Sequence, residues 1–202
     1  MPTLTLQQLR CRHIGPIDLT VLPGECVAVG GASGSGKSLL LRAIADLDPH
    51  SGEVLLDKRP QSATPAPRWR QLVGLLPAES QWWFDVVGPH FKATDNDYLQ
   101  RLGFEDDVLN WEIARLSSGE KQRLALLRLL SYRPDALLLD EASANLDHEN
   151  TLRVEALIQH YRQHQQAPVL WISHDPQQAQ RIAQRRLALL DGQLTMYLEH
   201  PQ

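Results

Sequence analysis

The chain predicts an α/β fold built on a parallel sheet, and three observations carry that expectation. The apolar run at residues 26–29 leads into a glycine-rich loop and then an apolar helical pattern at 39–45, the order strand, loop, helix. Two further apolar runs, 136–139 and 169–172, each end in side chains suited to holding a cation or moving a proton: Asp140-Glu141 after the first, Ser173-His174 after the second. Between 78 and 115 the texture changes, with Trp82, Trp83, Phe84 and Phe91 crowded early, then acidic loops and helical periodicity at Tyr98, Leu99 and Leu102. The expected organisation is one domain over 1–202, with a core of 1–77 and 116–202 and a short helical subdomain inserted at about 78–115.

The loop is Gly31-Ala32-Ser33-Gly34-Ser35-Gly36-Lys37-Ser38. Gly31, four residues, then Gly36-Lys37-Ser38 is the Walker A spacing; it resembles that of the P-loop NTPases, and the resemblance implies a RecA-like parallel sheet. Its glycines let successive N–H groups turn toward one point, and the helix that follows aims the positive end of its dipole there. Lys37 reaches the outer phosphates of a nucleotide, and the Ser38 hydroxyl suits a magnesium ion.

Residues 3–9 and 17–21 alternate apolar and polar, which predicts two half-buried strands of a small antiparallel subdomain joined to the core by the turn at Pro23-Gly24-Glu25. No aromatic ring stands at 10–13 to stack on a nucleobase. Arg12 or His13 is the available surface, against the alternative of a solvated loop arginine. Asp48-Pro49-His50-Ser51-Gly52 breaks the chain before a strand at 53–56. Residues 60–67 read as a proline-rich surface loop, 69–72 as a helical turn and 73–77 as a strand. Ser117, with Glu120 three residues on, forms a capping box that opens a helix through Leu130. A parallel strand would deliver Asp140 to the C-terminal sheet edge beside the phosphate loop, with Glu141 one step on to accept a proton from water. A helix at about 148–162 and a terminal hairpin of 186–190 with 193–197 complete the chain, with no room expected for a regulatory domain. His160 and His164 have metal-ligand spacing on that helix but read as a solvated face, since no further ligands lie nearby in sequence.

Composition narrows the functional classes. A net charge of −4 over 202 residues argues against the broad basic surface of a sequence-independent nucleic-acid binder. No apolar run approaches the ~18 residues of a membrane span, and the N-terminus lacks a signal pattern, so a membrane role would come through a partner. Cys11 and Cys26 lack a CxxC partner and read as ordinary thiols of a reducing compartment.

Gly31 to Ser38, Leu116 to Glu120, Leu137 to Glu141 and Ser173-His174 stand in one order along nearly the whole chain, and together they resemble the ATP-binding cassette (ABC) ATPases. The second element decides this, because nucleotide kinases share the first and third without it. The runs at 104–123 and 169–175 look most like small bacterial ATPases of the iron-efflux and metal-tolerance type. The resemblance implies an ATP- and Mg2+-dependent ATPase of an ABC transporter, working as a homodimer on ATP binding. Each ATP would lie between the phosphate loop of one copy and Ser117, Ser118, Gly119 and Glu120 of the other. It further implies Glu141 as general base, His174 as γ-phosphate sensor, Asp140 as a magnesium ligand through water, and Asp147 as the cross-dimer contact. An integral-membrane permease would hold the subunit at the cytoplasmic face of the membrane, and no nucleic acid is expected. Trp82, Trp83 and Phe84 would lie near the permease contact, or else form a small core for the insert.

The sequence departs from the family's pattern in places. Ala78 stands where a glutamine is usual, with Glu79 or Gln81 as substitutes; Ser118 replaces a glycine; Leu39 replaces a threonine and leaves only its N–H for the α-phosphate. These changes imply weaker nucleotide affinity or a slower cycle. The competing classes are a soluble ABC protein acting on nucleic acid or the ribosome, whose relatives tend to carry tandem cassettes or basic tails, and an ATP-binding scaffold module.

Overall fold

A computed structural model describes residues 1–93 and 95–196. Strands β1 (Leu4–Cys11) and β2 (Ile14–Val21) form a hairpin, and the chain then enters β3 (Cys26–Gly30) and helix α1 (Lys37–Ile44). Strands β4 (Ser51–Leu56) and β5 (Arg59–Pro60) return to the hairpin, giving a four-stranded antiparallel sheet in the order β2-β1-β4-β5. Helix α2 (Ala66–Leu72) and strand β6 (Val73–Leu76) follow. Here the proline-rich run expected as loop is partly ordered, because Pro60 ends a two-residue edge strand and Pro67 sits in the first turn of α2, where a missing N–H costs nothing.

The described residues of 78–115 contain one short α-helix, α3 (Asn96–Arg101), and three 3₁₀ turns, Gly88–His90, Asp106–Asn110 and Ile113–Arg115. The segment is thus less helical than its periodicity predicts. Helix α4 (Ser118–Leu130), strand β7 (Ala136–Asp140), helix α5 (His148–Gln165) and strand β8 (Val169–Ile172) match their expected places. Helix α6 (Pro176–Ile182) follows β8, where the sequence pattern predicts no element. Strands β9 (Arg185–Leu190) and β10 (Gln193–Met196) form the terminal hairpin, whose expected last residue, Tyr197, lies outside the described residues.

The second sheet has the order β10-β9-β3-β8-β7-β6; β9, β3, β8, β7 and β6 run parallel and β10 pairs antiparallel at the edge. Its central strands are apolar without alternation because both faces are covered. Val27, Val29, Leu138, Leu170 and Ile172 pack toward α1, α2 and the antiparallel sheet, whereas Leu137, Leu139, Val169 and Trp171 pack toward α4 and α5. Register then decides what meets at the C-terminal edge. Val29 pairs with Ile172, and Ile172 with Asp140, so the phosphate loop, Ser173-His174 and Asp140-Glu141 leave the sheet level with one another.

Candidate nucleotide site

The phosphate loop takes its shape from two glycines that no other residue replaces without strain. Gly31 has φ +133°, and a Cβ there would fall 2.7 Å from the Leu189 carbonyl oxygen; Gly36 has φ +101° and caps α1, with Ile14 Cδ1 2.6 Å from where its Cβ would be. Lys37 is buried and curls back over the loop, its Nζ donating to the carbonyls of Gly31 (2.9 Å) and Ala32 (2.8 Å). A third N–H remains for a phosphate oxygen. Burial pulls its pKa down, opposed by the nearby carboxylates of Glu141 and Asp140, which reach it across the sheet edge.

Asp140 is the last residue of β7 and is buried. Burial raises its pKa and the Glu141 charge adds to that rise, against the Ser38 hydrogen bond and the charges of Lys37 and His174, which favour the carboxylate. Its Oδ1 is buried and finds no hydrogen-bond partner among the described residues. Ser38 and Asp140 together thus present hard oxygen donors, one without a partner, at the foot of the loop. Glu141 adopts φ +52°, rare for a side-chain-bearing residue. That turn is held by its N–H donating to Ile172 O (3.1 Å) and by its carbonyl accepting from Ala144 N–H (2.9 Å). It sets the Glu141 carboxylate 2.9 Å from His174 Nε2, with both side chains partly open to solvent. A cavity of about 260 Å³ is lined by Glu141, Ser143, His174 and Gln178 among others, and a second of about 90 Å³ reaches from His174 to Gly30 and Gly31.

Several other residues singled out from sequence sit apart from this cluster, whereas His13 and Leu39 adjoin the loop. Ser117 caps α4 through a capping box: its Oγ accepts from Glu120 N–H (3.2 Å), and Glu120 Oε2 accepts from both the Ser117 N–H (2.8 Å) and hydroxyl (2.7 Å). Those bonds hold the Glu120 pKa down. Ser118 is the exposed first residue of the helix, and Gly119 lies against Leu146 and the Asn145 carbonyl. No hydrogen bond or ion pair among the described residues joins 117–120 to the phosphate loop of the same chain. Asp147 caps α5, accepting from Asn150 N–H and Nδ2–H at 2.8 Å each, which lowers its pKa. Arg12 stands at the exposed hairpin tip with φ +52° and acts electrostatically on Cys11 and Asp48, whereas His13 Nε2 lies 3.2 Å from the position of a Gly36 Cβ, beside the loop. Leu39 packs partly against the core. Ala78, Glu79 and Gln81 are exposed, and the Gln81 carbonyl accepts from Arg128 Nη1 (2.7 Å).

Residues 14–144 match the ABC transporter family. The chain belongs to that family. It is 39% identical to the aliphatic sulfonates import ATP-binding protein SsuB 2 of Paracoccus denitrificans, over 90% of this chain and 73% of that protein. It is 34% identical to the probable iron export ATP-binding protein FetA of Escherichia coli, over 86% of this chain and 85% of that one. A bacterial Atm1-family ABC exporter solved with ATP bound shares the fold, with a TM-score of 0.82 at 23% identity over 96% of this chain and 38% of that one. As a member of this ABC family the chain binds and hydrolyses ATP. Sequence reasoning passed over Ser143 and Gln178, which line the larger cavity. The available signal was faint: Gln178 stands four residues before Ile182, on the inward face of α6.

Proposed function

We propose that this ABC ATPase works as a head-to-tail homodimer with Mg2+ at each site, driving a membrane permease from the cytoplasmic side. The observation that carries the reading is the level convergence of Lys37, Ser38, Asp140, Glu141 and His174 at one sheet edge, with the 117–120 stretch at a helix N-terminus elsewhere on the chain. A site split in this way is completed by a second copy, whose Ser117, Ser118, Gly119 and Glu120 face the triphosphate held by the loop at 31–38. Asp147, at the start of α5, would contact the other copy in such a dimer.

The loop N–H groups from Gly31 to Leu39 and the Lys37 ammonium bind the phosphates. Glu141 takes a proton from the attacking water, and His174, within hydrogen-bond reach of that base, donates to the γ-phosphate. Ser38 and Asp140 would hold Mg2+, which offsets phosphate charge; the fit rests on the orphaned Asp140 Oδ1, a buried carboxylate that gains from a cation what burial costs it. His13, beside the loop, is the better placed of the two candidates for the base of the nucleotide. Residues 78–115 act as a subdomain between the core and the permease, presenting exposed Trp83 and Phe84. The relatives' names cover sulfonate import, iron export and lipoprotein release at 34–39% identity, so cargo choice belongs to the permease rather than to this subunit.

Glu141→Gln tests the reading. Loss of a positioned base costs ~10²–10⁴-fold in rate, so hydrolysis should fall by that much while saturating Mg-ATP converts the variant to a dimer on size exclusion. Near-normal turnover would refute the base, and a variant that stays monomeric even with its permease would refute the dimer.

A further inference from the structure

The geometry points to Gln178 as a positioning residue for ATP hydrolysis: a buried amide that ties the turn behind Glu141 to the residue before His174. The inference rests on the roles proposed above for those two side chains. Gln178 is 3% exposed, on the inward face of α6, and it lines the same cavity as Glu141 and His174. Its Oε1 accepts from the Ser173 hydroxyl at 2.7 Å, while its Nε2 donates to Ser143 Oγ at 2.7 Å and to Glu155 Oε1 at 3.0 Å.

The amide has no freedom to flip. Glu155 on α5 is buried and held by both ends of the Arg181 guanidinium, Nη2 to Oε1 at 2.8 Å and Nε to Oε2 at 3.1 Å, so both of its oxygens are engaged as acceptors. The Gln178 amino group must therefore face Glu155, which turns its carbonyl oxygen toward Ser173. Ser173 Oγ also accepts from the Asp175 N–H at 3.1 Å, fixing the backbone on both sides of His174. Ser143 lies two residues after Glu141, inside the turn that Ala144 N–H closes on the Glu141 carbonyl.

Glu141 is thus held in a left-handed backbone conformation that only its surroundings enforce, and one amide joins those surroundings to the histidine segment. A misplacement of about 1 Å at a reacting group costs on the order of 10²-fold in rate. Gln178 touches neither base nor histidine; it sets the distance between the segments that carry them.

The test uses the full chain with Gln178→Met, which keeps the volume and removes all three hydrogen bonds, and Ser143→Ala, which cuts the strap on the base side alone. Each should lower kcat for ATP roughly 10- to 100-fold with KM within about twofold, and the double variant should lose no more than the worse single. In a Glu141→Gln background Gln178→Met should have no further effect. If Gln178→Met does not fold, Ser143→Ala still decides. A kcat within twofold of wild type, or a fall in kcat matched by lost ATP binding, would overturn the inference. Normal turnover of Glu141→Gln would instead overturn the base assignment on which it rests.

Discussion

The nucleotide edge and the 78–115 segment are held in place by different physics. At the edge, three parallel strands in fixed register carry the functional side chains, and the backbone hydrogen bonds of the sheet supply the order. In the described residues of the segment, a six-residue helix, three 3₁₀ turns and one isolated bridge, Val86 to Glu112, are joined by local backbone bonds, and particular side chains satisfy backbone groups between them. His90 is the main one. It is buried, its Nε2 accepts from the N–H groups of Trp83 (3.1 Å) and Phe84 (3.0 Å), and its Nδ1 donates to Val86 O (3.0 Å) and Val87 O (3.2 Å). The rings of Trp82, Trp83 and Phe84 meet His90 edge-on at 4.8 to 5.0 Å, and Arg128 from α4 covers both indoles. An edge built from backbone tolerates loss of a functional side chain, whereas a segment built from side chains does not.

That contrast predicts opposite outcomes for substitutions in the two places. Glu141→Gln should remove ~10²–10⁴-fold of the rate and leave the melting temperature nearly unchanged, because the turn is held by backbone bonds that the variant keeps. His90→Ala should do the reverse. It strands two backbone donors, each worth about 1–3 kcal/mol when left buried, so chemical denaturation should show a loss of ~2–6 kcal/mol while ATP binding by the folded fraction persists. A His90→Ala protein as stable as wild type would show that solvent satisfies those donors and that the contrast is false.

Asp140 sharpens the comparison from the other side, as a functional group that the edge carries at a cost. Burial raises its pKa above the unfolded value, so the native state binds more protons than the unfolded chain between those two values, and stability falls as pH rises through the folded pKa. Asp140→Asn should therefore stabilise the nucleotide-free chain at neutral pH and abolish Mg-dependent hydrolysis. The stability gap should close as the pH drops below the Asp140 range. A gap that widens on acidification would mean that Lys37 and Ser38 outweigh burial at this site.

The same division governs what could be read from sequence. Strand β8 runs over Val169–Ile172 and β7 over Ala136–Asp140, as their apolar runs predict, because a strand covered on both faces declares itself in composition. The Ser117 and Glu120 capping box is a spacing rule, and it forms as expected. Helix α6 escaped notice because Pro176-Gln177-Gln178-Ala179-Gln180-Arg181-Ile182 has only Ala179 and Ile182 to mark a face, and its buried surface is polar. The Gln178 bonds join residues 5 to 35 positions apart and leave no pattern along the chain. The 78–115 segment misled for a related reason: the periodicity at Tyr98, Leu99 and Leu102 is real over α3, but the rest is ordered by His90, Arg128 and Trp111, and such pairings have no period.

The tryptophans show where that segment turns from structure to surface. Sequence left Trp82, Trp83 and Phe84 open between a local core and a protein contact, and the fold divides them. Trp82 is partly buried, packs on the core beside α4 and carries a buried indole N–H, whereas Trp83 is 61% and Phe84 48% exposed. Trp83→Ala with Phe84→Ala removes the exposed pair and keeps Trp82 and His90 in place. Loss of the two edge-on contacts with His90 should cost ~1–3 kcal/mol of stability, and basal ATPase activity should be unchanged because neither residue touches the nucleotide edge. Reconstituted with its permease, the variant should lose coupling between hydrolysis and transport. Full coupling would leave the two rings without a partner on that face, and the contact would then have to be sought elsewhere on residues 78–115.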